Sequence, residues 1–189
     1  MRKKEMRQLY RKKRAAITGS AKNKMEDLML IGFQKLDIPI PDIIMTYAAF
    51  EDEFDPQLIT DYCHFRNPAR QLLYPVMNKE TDNLLAIATD DDTEFKRNAF
   101  GIDEPAAGQQ VQPEDIDLLI VPLLAFDKRG YRVGYGKGYY DRFLVNCRKD
   151  AFKVGFSFFE AADEIEDVNP FDIRINYCIT PENIYHFTD

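Results

Sequence analysis

Strands alternating with helices predict a mainly parallel α/β sheet with helices on both faces. Two observations carry this expectation. Short apolar runs recur at 42–48, 72–76, 84–88, 118–121, 152–158 and 177–180. Between several of them lie stretches whose apolar residues fall at helical spacing or carry a helix-start pattern. No internal repeat or linker interrupts the 189 residues, so 1–189 is expected to form a single domain. A chain of this size buries roughly 70% of its unfolded surface.

The elements follow in order. Met6, Leu9, Tyr10 and Ile17 form a narrow apolar stripe on a first helix at about 2–16, and Thr18-Gly19-Ser20 breaks it. A second helix at about 21–36 carries Met25, Leu28, Met29, Phe33 and Leu36 at helical spacing. Asp42 to Ala48 reads as a short strand. Asp55 as an N-cap, followed by Pro56 at the first helical position, starts a helix running to about Phe65. Leu72 to Val76 and Leu84 to Ala88 read as strands, and Thr89 to Gln112 reads as polar and irregular. Leu118 to Val121, a glycine-rich loop and a helix at 139–147 form the next unit. Phe152 to Phe158 and Tyr177 to Thr180 are further strands, with a partly helical 160–168 between them.

Composition narrows the classes of function. Apolar content of 45% and charged content of 30% are those of a soluble globular protein. The longest apolar run, Leu118 to Phe126, is half a membrane span and is broken by Pro122, so no membrane partner is expected. The basic start is followed by no apolar h-region. Cys63, Cys147 and Cys178 are widely spaced and odd in number, which suits reduced core thiols of a cytoplasmic protein. Residues 1–14 hold eight Lys/Arg and one Glu, so the rest of the chain carries −14 of the net −7. That acidic remainder repels a nucleic-acid backbone; a compact anion such as a nucleotide is the better partner. Covalent hydrolase chemistry is not expected. Ser20 and Ser157 are the only serines and neither sits in a nucleophile elbow, and His64 and His186 lack triad or zinc spacing.

The most informative stretch is Gly-Tyr-Arg-Val-Gly-Tyr-Gly-Lys-Gly-Tyr-Tyr-Asp at 130–141. Gly134, Gly136 and Gly138 free the backbone for positive φ and close approach to a ligand. Successive amides in such a loop can form an anion nest, and Lys137 adds a mobile positive charge within it. Tyr139 and Tyr140 offer flat faces, although either can be a core aromatic at a helix start. Asp141 offers a hard oxygen of the kind Mg²⁺ takes. The spacing fits neither a P-loop nor a dinucleotide fingerprint. Asp127 begins Asp-Lys-Arg-Gly, a turn, and is assigned a structural role.

Residues 121–144 (Val-Pro-Leu-Leu-Ala-Phe-Asp-Lys-Arg-Gly-Tyr-Arg-Val-Gly-Tyr-Gly-Lys-Gly-Tyr-Tyr-Asp-Arg-Phe-Leu) closely resemble the signature of the 5-formyltetrahydrofolate cyclo-ligase family. The resemblance extends to the basic first helix, Glu51-Asp52-Glu53, Gly101-Ile-Asp-Glu-Pro105 and a late acidic position. It implies a single three-layer α/β/α domain. It also implies conversion of 5-formyltetrahydrofolate and ATP, with Mg²⁺, to 5,10-methenyltetrahydrofolate, ADP and phosphate.

Carried over residue by residue, the resemblance assigns ATP binding to Lys3, Arg7, Arg132, Val133, Gly134, Tyr135, Gly136, Lys137, Gly138, Tyr139 and Tyr140. Lys4 is an alternative to Lys3. Substrate contacts fall to Arg7, Ala48, Glu53, Tyr135, Gly136, Lys137, Gly138 and Tyr139, with Glu53 against the polar edge of the pterin. Lys137 and Arg132 are the expected catalytic cations, and Asp141 and Asp172 the Mg²⁺ ligands. A monomer is expected. Two rivals remain: a sugar-phosphate isomerase on a similar scaffold, needing no ATP, and a non-catalytic nucleotide or folate binding module.

Overall fold

A computed structural model describes residues 1–188. The chain runs through α1 (Lys3–Ala15), α2 (Gly19–Gln34), β1 (Ile43–Met45), α3 (Gln57–Arg66), β2 (Gln71–Asn78) and β3 (Asn83–Thr89). Three short strands follow: β4 (Phe95–Arg97), β5 (Asp103–Pro105) and β6 (Gln110–Val111). Then come β7 (Leu118–Val121), β8 (Ala125–Phe126), β9 (Arg132–Val133) and α4 (Tyr139–Leu144). The last strands are β10 (Phe152–Phe156), β11 (Tyr177–Ile179) and β12 (Ile184–His186).

Eight strands form the main sheet in the order β12-β11-β10-β7-β1-β2-β3-β6. The middle is parallel: β1 pairs with β2 and β7, and β10 pairs with β7 and β11. The hairpin β2–β3, strand β6 and the edge strand β12 are antiparallel. The sheet is therefore mainly parallel, as the alternating pattern predicts.

Strand β7 explains how two cores form. All four of its residues are buried, so it reads as a continuous apolar run with no polar alternation. Leu118 and Ile120 join a cluster with Met29 and Phe33 of α2 and Ile59 and Cys63 of α3. Leu119 and Val121 join another with Phe143 and Leu144 of α4. Side chains alternate across a strand, so these are opposite faces of the sheet.

Local signals set the helix starts. The Thr18 Oγ1 accepts from Ala21 N–H at 3.3 Å, so the expected break is also the cap of α2. Asp55 Oδ1 accepts from Gln57 N–H at 3.0 Å, but the N-cap of α3 is Pro56 and not Asp55 as expected, with Gln57 the first helical residue. Helix α1 packs Met6 and Tyr10 against Leu124, Ala125, Val133 and Ile165. It thus lies on the small β8–β9 ribbon.

Several expectations need correction. The segment 89–112 contains β4, β5 and β6, whose strands of two or three residues are too short to show periodicity. The stretch 160–168 is not helical. Helix α4 ends at Leu144, short of 147, and strand β12 was not anticipated. The glycine loop does not follow β7 directly, because the β8–β9 ribbon intervenes. That ribbon is closed by fully buried Asp127, whose carboxylate accepts from the N–H groups of Arg129, Tyr131 and Ile165 at 3.0–3.1 Å. Its structural assignment agrees with this geometry. Among the described residues no helix is long and apolar enough to cross a membrane.

Candidate active site

Strands β1 and β7 are parallel neighbours, with Ile44 opposite Leu118. After β1 the chain moves to β2 on one side; after β7 it moves to β10 on the other. The carboxyl ends of β1 and β7 therefore flank a topological switch point, the usual ligand position in open α/β sheets. The loop after β1 carries Ala48 to Glu53, and the connection after β7 carries the ribbon and residues 134–138. Topology brings the two motifs together.

The acidic loop is tightly built. Glu51 takes a left-handed φ of 54°, and Glu53 Oε2 accepts from Phe50 N–H at 2.9 Å. Tyr47 O–H donates to Phe54 O at 3.0 Å, closing the loop on the end of β1. Glu53 is 5% exposed, and its Oε1 accepts from the Tyr135 hydroxyl. Burial pushes the Glu53 carboxyl above its ordinary range, opposed by the bonds from Tyr135 and Phe50 and by the charge of Arg14. Burial beside Glu53 likewise raises the Tyr135 phenol. Ala48 is half-buried at the mouth of the loop.

Arg14 completes this cluster. It is 4% exposed, donating from Nε to Asp52 Oδ1 at 2.8 Å and from Nη2 to Tyr135 Oη at 2.7 Å. The sequence reading missed both Arg14 and Asp52. A signal was present: Lys3, Arg7, Tyr10 and Arg14 repeat at helical spacing, which places them along one face of α1.

Arg7 lies farther along that face. Its Nε donates to Gly134 O at 2.8 Å, and its guanidinium sits under Gly136, where an added Cβ would come within 3.1 Å. Gly136 and Gly138 have φ of 99° and 69°, so two of the three loop glycines use the left-handed freedom expected of them; Gly134 does not. Lys137 is exposed, and among the described residues no hydrogen bond or ion pair engages its ammonium. Tyr139 O–H donates to Asp82 Oδ1 at 3.1 Å, tying the start of α4 to the β2–β3 turn. Tyr140 is the core-facing member of the pair. It packs against the cluster under α4, and its buried hydroxyl has no hydrogen-bond partner.

Arg132, on β9, is the third arginine. Its side chain is 5% exposed, donating from Nη2 to Asp141 Oδ1 at 2.9 Å and from Nη1 to Ile173 O at 2.6 Å. Burial pulls its pKa down, while Asp141 and Asp172 oppose that. Lys3 Nζ donates to Asp172 Oδ2, so Lys3, and not the exposed Lys4, faces this end. Among the described residues no group of three or more His, Cys, Asp or Glu is placed to hold a metal. Mg²⁺ commonly takes one or two carboxylates and fills its shell with phosphate oxygens and water. Asp141 takes its bonds from Arg132 and Ile173 N–H on Oδ1, whereas both oxygens of Asp172 accept, Oδ2 from Lys3 and Asn169 N–H and Oδ1 from Asn169 Nδ2.

Comparison with known proteins bears on the family and the fold. A 5-formyltetrahydrofolate cyclo-ligase from Haemophilus influenzae is 36% identical over 119 residues, 61% of this chain and 63% of the relative. The match thus spans less than two thirds of that relative's length. One of the same name from Escherichia coli is 28% identical over 148 residues, 76% of this chain and 80% of the relative. The solution structure of Aquifex aeolicus 5,10-methenyltetrahydrofolate synthetase is similar with a TM-score of 0.82 at 26% identity, covering 100% of this chain and 94% of that one. A 5,10-methenyltetrahydrofolate synthetase from Mycoplasma pneumoniae, at 22% identity and a TM-score of 0.76, supports the fold. Residues 2–180 match the 5-formyltetrahydrofolate cyclo-ligase family, and the chain belongs to it.

Proposed function

We propose that the protein is an ATP- and Mg²⁺-dependent 5-formyltetrahydrofolate cyclo-ligase, forming 5,10-methenyltetrahydrofolate, ADP and phosphate. One observation carries the reading. Tyr135 bonds Glu53 through its hydroxyl, while Gly134, its chain neighbour, bonds Arg7 through its carbonyl. Two adjacent residues of the glycine loop therefore join a nest suited to phosphates to the loop after β1, whose buried acid is suited to a ring edge.

The chemistry needs no protein nucleophile. The formyl oxygen is a poor leaving group. Its attack on the γ-phosphorus expels ADP and gives an iminium phosphate. N10 then adds to the activated carbon, phosphate departs with the oxygen, and N10 loses its proton. Positioning and charge compensation dominate such transfers. Lys137, Arg132, Arg7 and the loop amides would neutralise the transferring group, with Lys3 toward the same phosphates. Asp141 and Asp172 would hold Mg²⁺, which supplies charge neutralisation across the phosphate oxygens when bound. Glu53 would accept from the N–H groups of the pterin edge in charge-assisted bonds, and Ala48 would line that ring's approach. The orphan hydroxyl of Tyr140 is a donor without a partner, and bound ligand would satisfy it.

The test is direct: purified protein with ATP, Mg²⁺ and 5-formyltetrahydrofolate. A substrate-dependent rise in methenyl absorbance, matched mole for mole by ADP and phosphate, is the expected result. No folate turnover, with ATP-independent isomerisation of a sugar phosphate, would favour the sugar-phosphate isomerase rival. Tight binding of both ligands without turnover would leave a binding module.

A further inference from the structure

The geometry points to Phe171 as the stacking platform for the purine base of the nucleotide, an inference that rests on the ATP reading above. Phe171 is 81% exposed, although burial is the favourable state of such a ring. The backbone beneath it is firmly held. Phe171 N–H donates to Asn169 Oδ1 at 2.9 Å, Asp172 N–H to Asn169 O at 3.0 Å, and Asn169 N–H to Asp172 Oδ2 at 2.7 Å. The next two residues are bound by the cations assigned to the phosphates: Asp172 by Lys3, and Ile173 O by Arg132 at 2.6 Å.

A fixed turn thus presents an uncovered aromatic face one residue from the carboxylate that pairs with Lys3. Exposure alone is not the ground, since Phe65 on α3 is equally exposed with no proposed site residue on its helix. Placement is. On that reading, a nucleotide whose phosphates occupy the glycine loop and the Lys3–Arg132 end would set its base against the ring beside Asp172. A heteroaromatic ring stacks on such a side chain without needing hydrogen-bond readout.

The sequence contains no tryptophan, which gives a clean probe. In Phe171→Trp the single indole should change its emission when ATP is added and stay unchanged with inorganic tripolyphosphate. Phe171→Ala should raise KM for ATP roughly tenfold, the loss expected for one stacked base, with the effect falling on KM more than on kcat. The inhibition constant of tripolyphosphate, competing against ATP, should be the same in parent and variant. An unchanged KM for ATP overturns the platform. So does a rise confined to KM for 5-formyltetrahydrofolate, which would give the ring to the folate. Equal loss of tripolyphosphate affinity would mean that the turn beneath had moved, and overturns it as well. If the parent protein turns over no ATP, both readings fall; if it does and the alanine variant matches it, only the platform falls.

Discussion

Arg14 donates to the hydroxyl of Tyr135 at 2.7 Å, joining the last turn of the first helix to the middle of the glycine loop 121 positions away. The same guanidinium holds Asp52, and Tyr135 in turn holds Glu53. One buried cation therefore fixes both halves of the proposed folate site.

Replacing Arg14 with Ala should loosen both halves together. It removes charge-assisted bonds worth about 1.5–3 kcal/mol in all, since Asp52 is partly exposed and can rehydrate. Urea unfolding should show a loss of that size. KM for 5-formyltetrahydrofolate should rise more than KM for ATP, because Arg14 faces Glu53 and Tyr135. An equal rise in both would mean that the whole of α1 had shifted.

Glu53 makes a pH-dependent prediction. Its carboxyl is pushed up by burial, so the native state holds the proton more tightly than the unfolded chain does. Such a group lowers stability as pH rises from the unfolded carboxylate value through the folded one, and the cost persists above that. In Glu53→Gln this titration is absent. The stability of the variant relative to the parent should therefore grow between pH 4 and 7, read from denaturation midpoints across that range, while KM for 5-formyltetrahydrofolate rises. A difference independent of pH would show that Glu53 titrates normally in the fold.

These two predictions mark what the sequence could and could not convey. The glycine loop was legible because its composition is incompatible with an ordinary helix or strand. Strand β7 was legible because burial on both faces leaves four consecutive apolar residues. The partners of these segments were not. Arg14 meets Tyr135, and Lys3 meets Asp172, across separations that no local pattern encodes. The β8–β9 ribbon was invisible for another reason: Leu123 to Phe126 simply prolongs the apolar run of β7. Only the buried turn at Asp127 reveals that the chain reverses there.

Asp141 serves two purposes, and they can be separated. In Asp141→Asn the buried Arg132 loses its carboxylate, keeping only Ile173 O and a neutral amide oxygen. A stability loss of about 1.5–3 kcal/mol should appear in the absence of any ligand. Independently, the Mg²⁺ concentration needed for half-maximal activity should rise, because an amide is a weaker ligand for a hard cation. Lost activity that no Mg²⁺ concentration restores, in a variant still folded at the assay temperature, would leave Asp141 as a partner of Arg132 alone.

Lys137 predicts the opposite balance. Its exposed ammonium engages no group among the described residues, so Lys137→Ala should leave the unfolding midpoint where it is. The kcat should fall by roughly 10²–10³, the usual loss for one preorganised donor at a developing charge. Activity within threefold of the parent would remove Lys137 from the phosphate.

The loop glycines supply an internal control, because two of them differ in what they ask of the backbone. Gly136 has φ of 99°, and a Cβ there would press on the Arg7 guanidinium at 3.1 Å. Gly134 has no positive φ, and a Cβ there meets nothing within 4 Å. Gly136→Ala should therefore cost about 1–3 kcal/mol of stability through backbone strain. It should also raise KM for ATP, as Arg7 is pushed aside. Gly134→Ala should be neutral or stabilising by up to about 1 kcal/mol, because it restricts the unfolded chain without straining the folded one. Parallel thermal unfolding of the two variants decides the matter. Equal losses at both positions would mean that the loop does not hold the conformation on which its phosphate-binding role depends.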